Sequence, residues 1–257
     1  MKEIRKKKKR ATNMPGSGMN KKYTHIFFDL DNTLWDFETN SRKAMHVIFH
    51  QFNLNEVCDF NLFFESYTKH NDALWESYRN KEVVKQELTR LRFQNTLTEM
   101  EISGIDADEM NTQYLMELPK QKILNEGVIE ILNYLKRKRY HLNIITNGFK
   151  EVQREKIETS GLKPFFEKIF ISEEIKSAKP ERGIFEYSIK SSNAKKINSI
   201  MVGDDWNVDI IGAINYGIDA IYYNNNSQKN LTNVSNLNSS SAQVLEIGSM
   251  NHLNLIL

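Results

Sequence analysis

The sequence predicts an α/β fold, a doubly wound parallel sheet with an all-helical block inserted after its first strand. Two observations carry that prediction. Short apolar runs at 25–30, 141–146, 168–171, 198–203 and 218–223 alternate with helical patterns from residue 127 onward, as in βαβ units on a parallel sheet. Residues 36–125, between the first two runs, show helical periodicity alone, and from Met19 to Ser103 there is neither Gly nor Pro, so nothing breaks long helices there.

The elements follow in order. His25-Ile26-Phe27-Phe28-Asp29-Leu30 is a short apolar run closing on acidic residues, the pattern of a buried strand. Helices are expected over 41–52, 60–78, 81–102 and 107–117. In the second of these, Phe60, Phe63, Phe64, Tyr67, Leu74, Trp75 and Tyr78 fall at helical spacing on one face. Pro119 and Gly127 punctuate the end of the block. A helix at 127–138 then leads to a strand at 141–146, and Asn147-Gly148 opens a helix reaching Ser160. A strand at 168–171 precedes a helix at 181–192, a strand at 198–203 precedes a helix at 206–216, and a strand covers 218–223. Residues 224–241 are rich in Asn and Ser and read as a loop; 243–257 add a strand and a short helix. There are no internal repeats.

Composition narrows the function classes. Of 257 residues, 40% are hydrophobic and 26% charged, which suits a globular chain with a full-sized core. No apolar run approaches the roughly 20 residues a bilayer crossing needs, and no apolar stretch follows the basic N-terminus as in a secretory signal. The single Cys58 rules out an internal disulfide and fits a reducing compartment, so a cytoplasmic location is expected. Net charge is +2, but residues 2–10 hold +6 of it, which leaves −4 over residues 11–257. The folded part is thus mildly acidic and gives no support for nucleic-acid binding. Residues 1–18 form a basic tail able to meet polyanions; Pro15-Gly16-Ser17-Gly18 before Met19 reads more simply as a linker in an expression remnant.

Ligands on such sheets bind beyond the carboxyl ends of the strands. Asp29 and Asp31 stand at the end of the first strand, Thr146 and Asn147 at the end of the second, and Asp204 and Asp205 after Gly203, with Asp209 one turn on and Lys179 before Pro180. Five carboxylates on one rim repel one another unless a cation joins them, and an all-oxygen set favours Mg²⁺ over Zn²⁺. Such an ion would let Asp29 attack a phosphate ester and form an aspartyl-phosphate. Asp31 would protonate the leaving oxygen and later activate water. Thr146, Asn147 and the amides of the following helix would hold phosphate oxygens, and Lys179 would neutralise the charge gathering on them.

These stations resemble the four motifs of the haloacid dehalogenase-like (HAD) hydrolase superfamily: Asp29-x-Asp31-x-Thr33-Leu34, Thr146, Lys179 and Gly203-Asp204-x-x-x-x-Asp209, in order over about 190 residues. The resemblance implies a Rossmann-like core (19–35 and 126–257) with a helical cap (36–125). It also implies a metal held by the Asp29 carboxylate, the Asp31 backbone carbonyl and Asp204. Asp209 would orient water and Lys179 from behind, and Asp205 would either support it or simply cap a helix. An acid at Asp31 argues for phosphate chemistry over dehalogenation, and no Schiff-base lysine of the phosphonatase kind is identified. Asn71-x-x-Leu74-Trp75-x-x-Tyr78, Leu88 and Arg92-Phe93 further resemble the cap of bacterial pyrimidine 5′-nucleotidases of this superfamily. So does the stretch from Ile171 to Tyr187, apart from Arg182-Gly183. The implied substrate is a nucleoside monophosphate. A sugar-phosphate or phosphoglycolate phosphatase is the alternative, and a non-catalytic binding protein with a polyanion-binding tail a remote one. Asn71 reads either as a base-recognising amide or as a satisfied polar group in the cap, and Trp75 and Tyr78 as a stacking platform or as packing. His46 and His50, at i and i+4, lack a third ligand and the glutamate of a zinc protease, and read as structural.

Overall fold

The computed structural model describes residues 23–225, 232–233 and 242–257; the basic tail and most of the 224–241 loop lie outside the described residues. Among the described residues seven strands form one sheet in the order β3-β2-β1-β4-β5-β7-β6. They are β1 (His25–Phe28), β2 (His141–Thr146), β3 (Lys168–Ile171), β4 (Ser199–Gly203), β5 (Asp219–Tyr223), β6 (Thr232–Asn233) and β7 (Val244–Ile247). All pairs are parallel except β6 with β7. The chain winds outward from β1 through β2 to β3, then restarts at β4 on the other side, so the winding reverses between β1 and β4. A crevice at the carboxyl ends is expected at that reversal.

Alternation along the strands divides the interior in two. Phe27, Ile145, Met201 and Ala220 point to a core shared with α8 (Arg182–Ser191) and α9 (Ile211–Tyr216). Ile26, Phe28, Ile144, Val202 and Ile221 point to the opposite, larger core. That core continues into the inserted helices through Met45, Phe49, Phe63, Tyr67, Phe93 and Tyr114.

The insert consists of α1 (Phe37–Gln51), α2 (Phe60–Arg79), α3 (Lys85–Glu99) and α4 (Ala107–Glu117). Asp36, Asp59 and Asp106 cap α1, α2 and α4, each side chain accepting from backbone amides of its first turn. The Asp36 cap moves the start of α1 four residues ahead of the apolar pattern. α3 is shorter than its periodicity suggests, because Lys81 and Glu101 adopt positive φ (63° and 56°) on either side of it. The chain leaves the sheet and returns side by side: Trp35 bridges Leu124, Asp36 N donates to Ile123 O (3.1 Å), and Asn125 N donates to Leu34 O (3.0 Å).

The remaining helices are α5 (Val128–Arg137), α6 (Lys150–Thr159) and the short α7 (Ser172–Ile175). The helix expected over 206–216 begins instead as a wide π turn, Trp206–Ile210, before α9, a feature often found at functional sites. The C-terminal helix is of the 3₁₀ type, Met250–Leu255. The strand β6 lies inside the stretch expected to be loop. Among the described residues no helix is long and apolar enough to cross a membrane.

Candidate active site

Asp29 lies one residue beyond β1, its amide donating to Val202 O of β4 at 2.9 Å. This fixes its side chain at the winding reversal, where it is 7% exposed. The Lys179 ammonium reaches the same point, hydrogen-bonded to Asp29 Oδ1 and 2.7 Å from Asp209 Oδ1. Asp204 is held by the Thr33 hydroxyl, which donates to Oδ1 at 2.7 Å. One carboxylate oxygen from each of Asp29, Asp204 and Asp209 lies within 4.8 Å of the others. The acids and the lysine picked out in the sequence are therefore adjacent, on one floor.

The backbone around them is shaped for this. A Cβ on Gly203 would sit 2.3 Å from Asp209 Oδ2. The glycine thus lets that carboxylate fold back over the end of β4, where Oδ2 accepts from Asp205 N at 3.1 Å. Asp205 itself caps the π turn, accepting from Asn207 N (2.9 Å) and Val208 N (3.0 Å). Asn147 clamps the Lys179 backbone from both sides, donating to its carbonyl and accepting from its amide, both at 2.8 Å. Its side chain is therefore committed to carrying the lysine.

Burial raises the Asp29 carboxyl well above its ordinary range; Asp209 and Asp204 add to the rise and Lys179 opposes it. Asp209 is also raised, by burial against the pull of Lys179. Burial, then the charge of Asp209, pushes Asp204 up to about 7. Burial alone would lower Lys179, but the facing Asp209 and Asp29 overcome it and hold its ammonium above the usual lysine range. Two buried acids and the half-buried Asp204 facing one ammonium leave the floor short of positive charge.

Over this floor lies a cavity of about 470 Å³, lined by the acids, by Thr146 and Asn147, and by Asn71, Trp75, Arg79 and Arg92 of the insert. Asn71 is buried, and its Oδ1 accepts from Arg92 Nη1 (3.2 Å) and from the Tyr67 hydroxyl (3.5 Å). Arg92 also donates to Asn111 Oδ1 (2.7 Å) and packs among Tyr67, Phe93 and Tyr114. Trp75 stacks on Phe149 (centroids 5.1 Å, 28°), and Tyr78 meets that ring edge-on at 6.4 Å. His46 and His50 pack against each other edge to face (4.6 Å) and sit outside the cavity.

Three contributors go unmarked by the sequence patterns above. Lys156 of α6 pairs with Asp31 Oδ1 at 2.7 Å, and Gln153 donates to Asp31 Oδ2 at 2.8 Å and to Thr146 Oγ1 at 2.6 Å. The only trace either leaves in the sequence is i, i+3 spacing on a polar helix. Phe149, likewise unmarked, follows Gly148 directly and makes one of the contacts with the insert, beside the ion pairs of Lys85 with Glu173 and of Lys81 with Glu181.

A doubly wound sheet with an acid-and-lysine floor at its winding reversal and helices inserted after β1 points to one class, the haloacid dehalogenase-like hydrolases. The family model of that description matches residues 23–217, and the chain belongs to this family. Among curated proteins it is similar to pyrimidine 5′-nucleotidase PynA of Streptococcus pneumoniae, at 31% identity over 82% of this chain and 87% of the relative. It is also similar to pyrimidine 5′-nucleotidase YjjG of Escherichia coli, at 29% identity over 79% and 87%. Among solved structures it resembles YfnB of Bacillus subtilis, described as a HAD-hydrolase bound to magnesium, with a TM-score of 0.79 and 25% identity over 92% of this chain and 99% of that one.

Proposed function

We propose that this hydrolase is a Mg²⁺-dependent phosphomonoesterase acting through an aspartyl-phosphate on Asp29, with pyrimidine nucleoside 5′-monophosphates as its substrates. One observation carries the reading: two buried carboxylates, Asp29 and Asp209, and the half-buried Asp204 converge within 4.8 Å on the floor of a cavity, beside Lys179 and Asp31. The donor set fits a hard divalent ion, since every ligand is oxygen and the floor holds more buried acid than Lys179 can balance. Asp29 and Asp204 would hold it with the Asp31 carbonyl; Asp209, paired with Lys179, would steady it from behind. When bound, Mg²⁺ offsets the repulsion between an attacking carboxylate and a phosphate dianion.

The rest of the chemistry belongs to the chain. An Asp29 oxygen attacks phosphorus, the ester P–O bond breaks, and the departing oxygen takes a proton from Asp31. Water then attacks the acyl phosphate, giving a proton to Asp31; the bond from phosphorus to Asp29 breaks, and inorganic phosphate leaves with the carboxylate restored. Thr146 and Lys179 would hold the phosphate oxygens, and Asn147, tied to the Lys179 backbone, would contribute through that lysine. Helices α1–α4, as the cap, would exclude water. Asn71 and Trp75 line the cavity and would face the base, although Asn71 already has partners in Arg92 and Tyr67; Tyr78 does not line that cavity and would act only through Trp75 and Phe149, which it meets edge-on. The half-buried Cys58 suits a reducing cytoplasm.

The similarity to two pyrimidine 5′-nucleotidases supports the substrate class. Phosphate release from UMP, dTMP, AMP and a hexose phosphate tests it. Faster turnover of UMP and dTMP is expected; faster turnover of the hexose phosphate would move the assignment to sugar phosphates.

A further inference from the structure

We infer that Lys156 and Gln153 are positioning residues for Asp31: from one face of α6 they grip both oxygens of its carboxylate and set it in register with the phosphate-holding Thr146. The inference rests on the phosphomonoesterase reading, in which Asp31 moves the proton. Lys156 Nζ lies 2.7 Å from Asp31 Oδ1, and Gln153 Nε2 lies 2.8 Å from Oδ2. The residues are three apart on a helix, so their side chains rise side by side. The same Gln153 amide donates to Thr146 Oγ1 at 2.6 Å, so one group ties the end of β2 to the loop after β1.

Several observations separate this from ordinary surface pairing. Lys156 and Gln153 are 2% and 1% exposed, whereas Asp31 remains open to the cavity. Lys156 Nζ also sits 4.2 Å from the Trp35 ring centroid and 5.2 Å from that of Phe37, so aromatic walls fix its direction. Among the described residues its one ion pair is with Asp31. Burying such a pair is weak support for stability, since apolar replacements of the same volume serve as well. What the pair does provide is a defined place for a carboxylate that would otherwise swing on an open loop. The neighbouring backbone makes room for this, because a Cβ on Gly148 would fall 2.3 Å from Gln153 Cδ.

A proton donor held in place matters most when the leaving oxygen is a poor one. The test therefore compares kcat/KM on UMP, an alkyl ester, with kcat/KM on p-nitrophenyl phosphate, whose leaving group needs little protonation, for wild type, Lys156→Met, Gln153→Leu, Asp31→Asn and Lys156→Met/Asp31→Asn. Both single positioning variants should lose about 10–100-fold on UMP through kcat, with KM within about twofold, and less than about threefold on p-nitrophenyl phosphate. The double variant should be no slower than Asp31→Asn alone, as expected when one residue acts through another. Equal losses on both esters, or additive losses in the double variant, would overturn the inference. If Lys156→Met does not fold, Gln153→Leu carries the same comparison. A wild-type protein inert toward every phosphate ester would instead sink the phosphomonoesterase reading, an outcome distinct from an active enzyme indifferent to Lys156→Met.

Discussion

The floor and the roof of the cavity are built on different principles. On the floor, the acids that follow β1 and β4 meet their partners directly: Lys179 with Asp29 and Asp209, Thr33 with Asp204, Lys156 with Asp31. In the roof, the polar groups Asn71, Arg92 and Asn111 satisfy one another inside an aromatic shell, and of the three Asn71 and Arg92 line the cavity. A floor of this kind sets what reaction is possible, because each group is fixed relative to phosphorus. The roof sets which molecules fit beneath it. Variants at Asp29, Asp204, Asp209 or Lys179 should therefore slow every substrate alike, those at Asp31 and Lys156 should sort esters only by how much their leaving group needs a proton, and roof variants should change ratios between substrates of different shape.

The largest effect is expected at the nucleophile. Asp29→Asn should lower phosphate release by about 10³-fold or more on all esters; a variant that still turns over any of them would remove Asp29 from its role. Chelation by EDTA should silence the wild type to a similar extent and Mg²⁺ should restore it, as followed by the same assay.

Lys179→Met comes next. Activity should fall about 10²–10³-fold, and because Asp209 is left buried without its cation, stability should drop by about 3–5 kcal/mol in urea unfolding. A stable variant with lost activity would confine Lys179 to chemistry and weaken the picture of a charge-balanced floor.

Trp75→Ala tests the roof. It should change the UMP to hexose phosphate ratio of kcat/KM by about tenfold, near 1.4 kcal/mol, while p-nitrophenyl phosphate is little affected. Uniform loss on all three would show that this ring serves the floor through Phe149, on which it stacks.

The smallest effect is a pH dependence. Without a metal ion the folded Asp204 titrates at about 7, against about 3.9 for an unfolded aspartate. Between those values the folded chain keeps a proton that the unfolded chain has lost, so stability falls as pH rises through the window and levels off above it. In EDTA the melting temperature should decline by about 5–10 °C from pH 5 to pH 7.5, at about 1.4 kcal/mol per pH unit and 2–4 °C per kcal/mol. Saturating Mg²⁺ should flatten or reverse that slope, and parallel curves with and without the ion would detach Asp204 from metal binding.

The parts of this molecule legible in the sequence are those with a one-dimensional signature. Apolar runs ending in Asp or Asn mark strand ends, and parallel topology then brings Asp29 and Asp204 together however far apart they stand in the chain; Lys179 is marked instead by its place before Pro180 in the motif order. Lys156 and Gln153 carry no such mark, since a lysine and a glutamine on a polar helix ordinarily face water; only the placement of α6 beside Asp31, Trp35 and Phe37 buries them. The start of α1 was hidden because Asp36, a cap, extends the helix beyond its apolar stripe. The π turn at Trp206–Ile210 has no periodic pattern of its own and arises where Asp205 and Asp209 take over backbone hydrogen bonds. The 3₁₀ ending at Met250–Leu255 is too short for any period to show.

The side-by-side exit and return of the chain at Trp35 and Leu124 has a wider consequence. The insert is grafted on at a single stem, and the two strands next to the graft, β1 and β2, pair with each other in register from His25–His141 to Phe28–Ile144 without help from it. Helices could be lengthened, shortened or exchanged above that stem while the reacting groups stayed in register. A lineage built this way can try new molecules without relearning its chemistry, with the stem as the seam along which that trade is made.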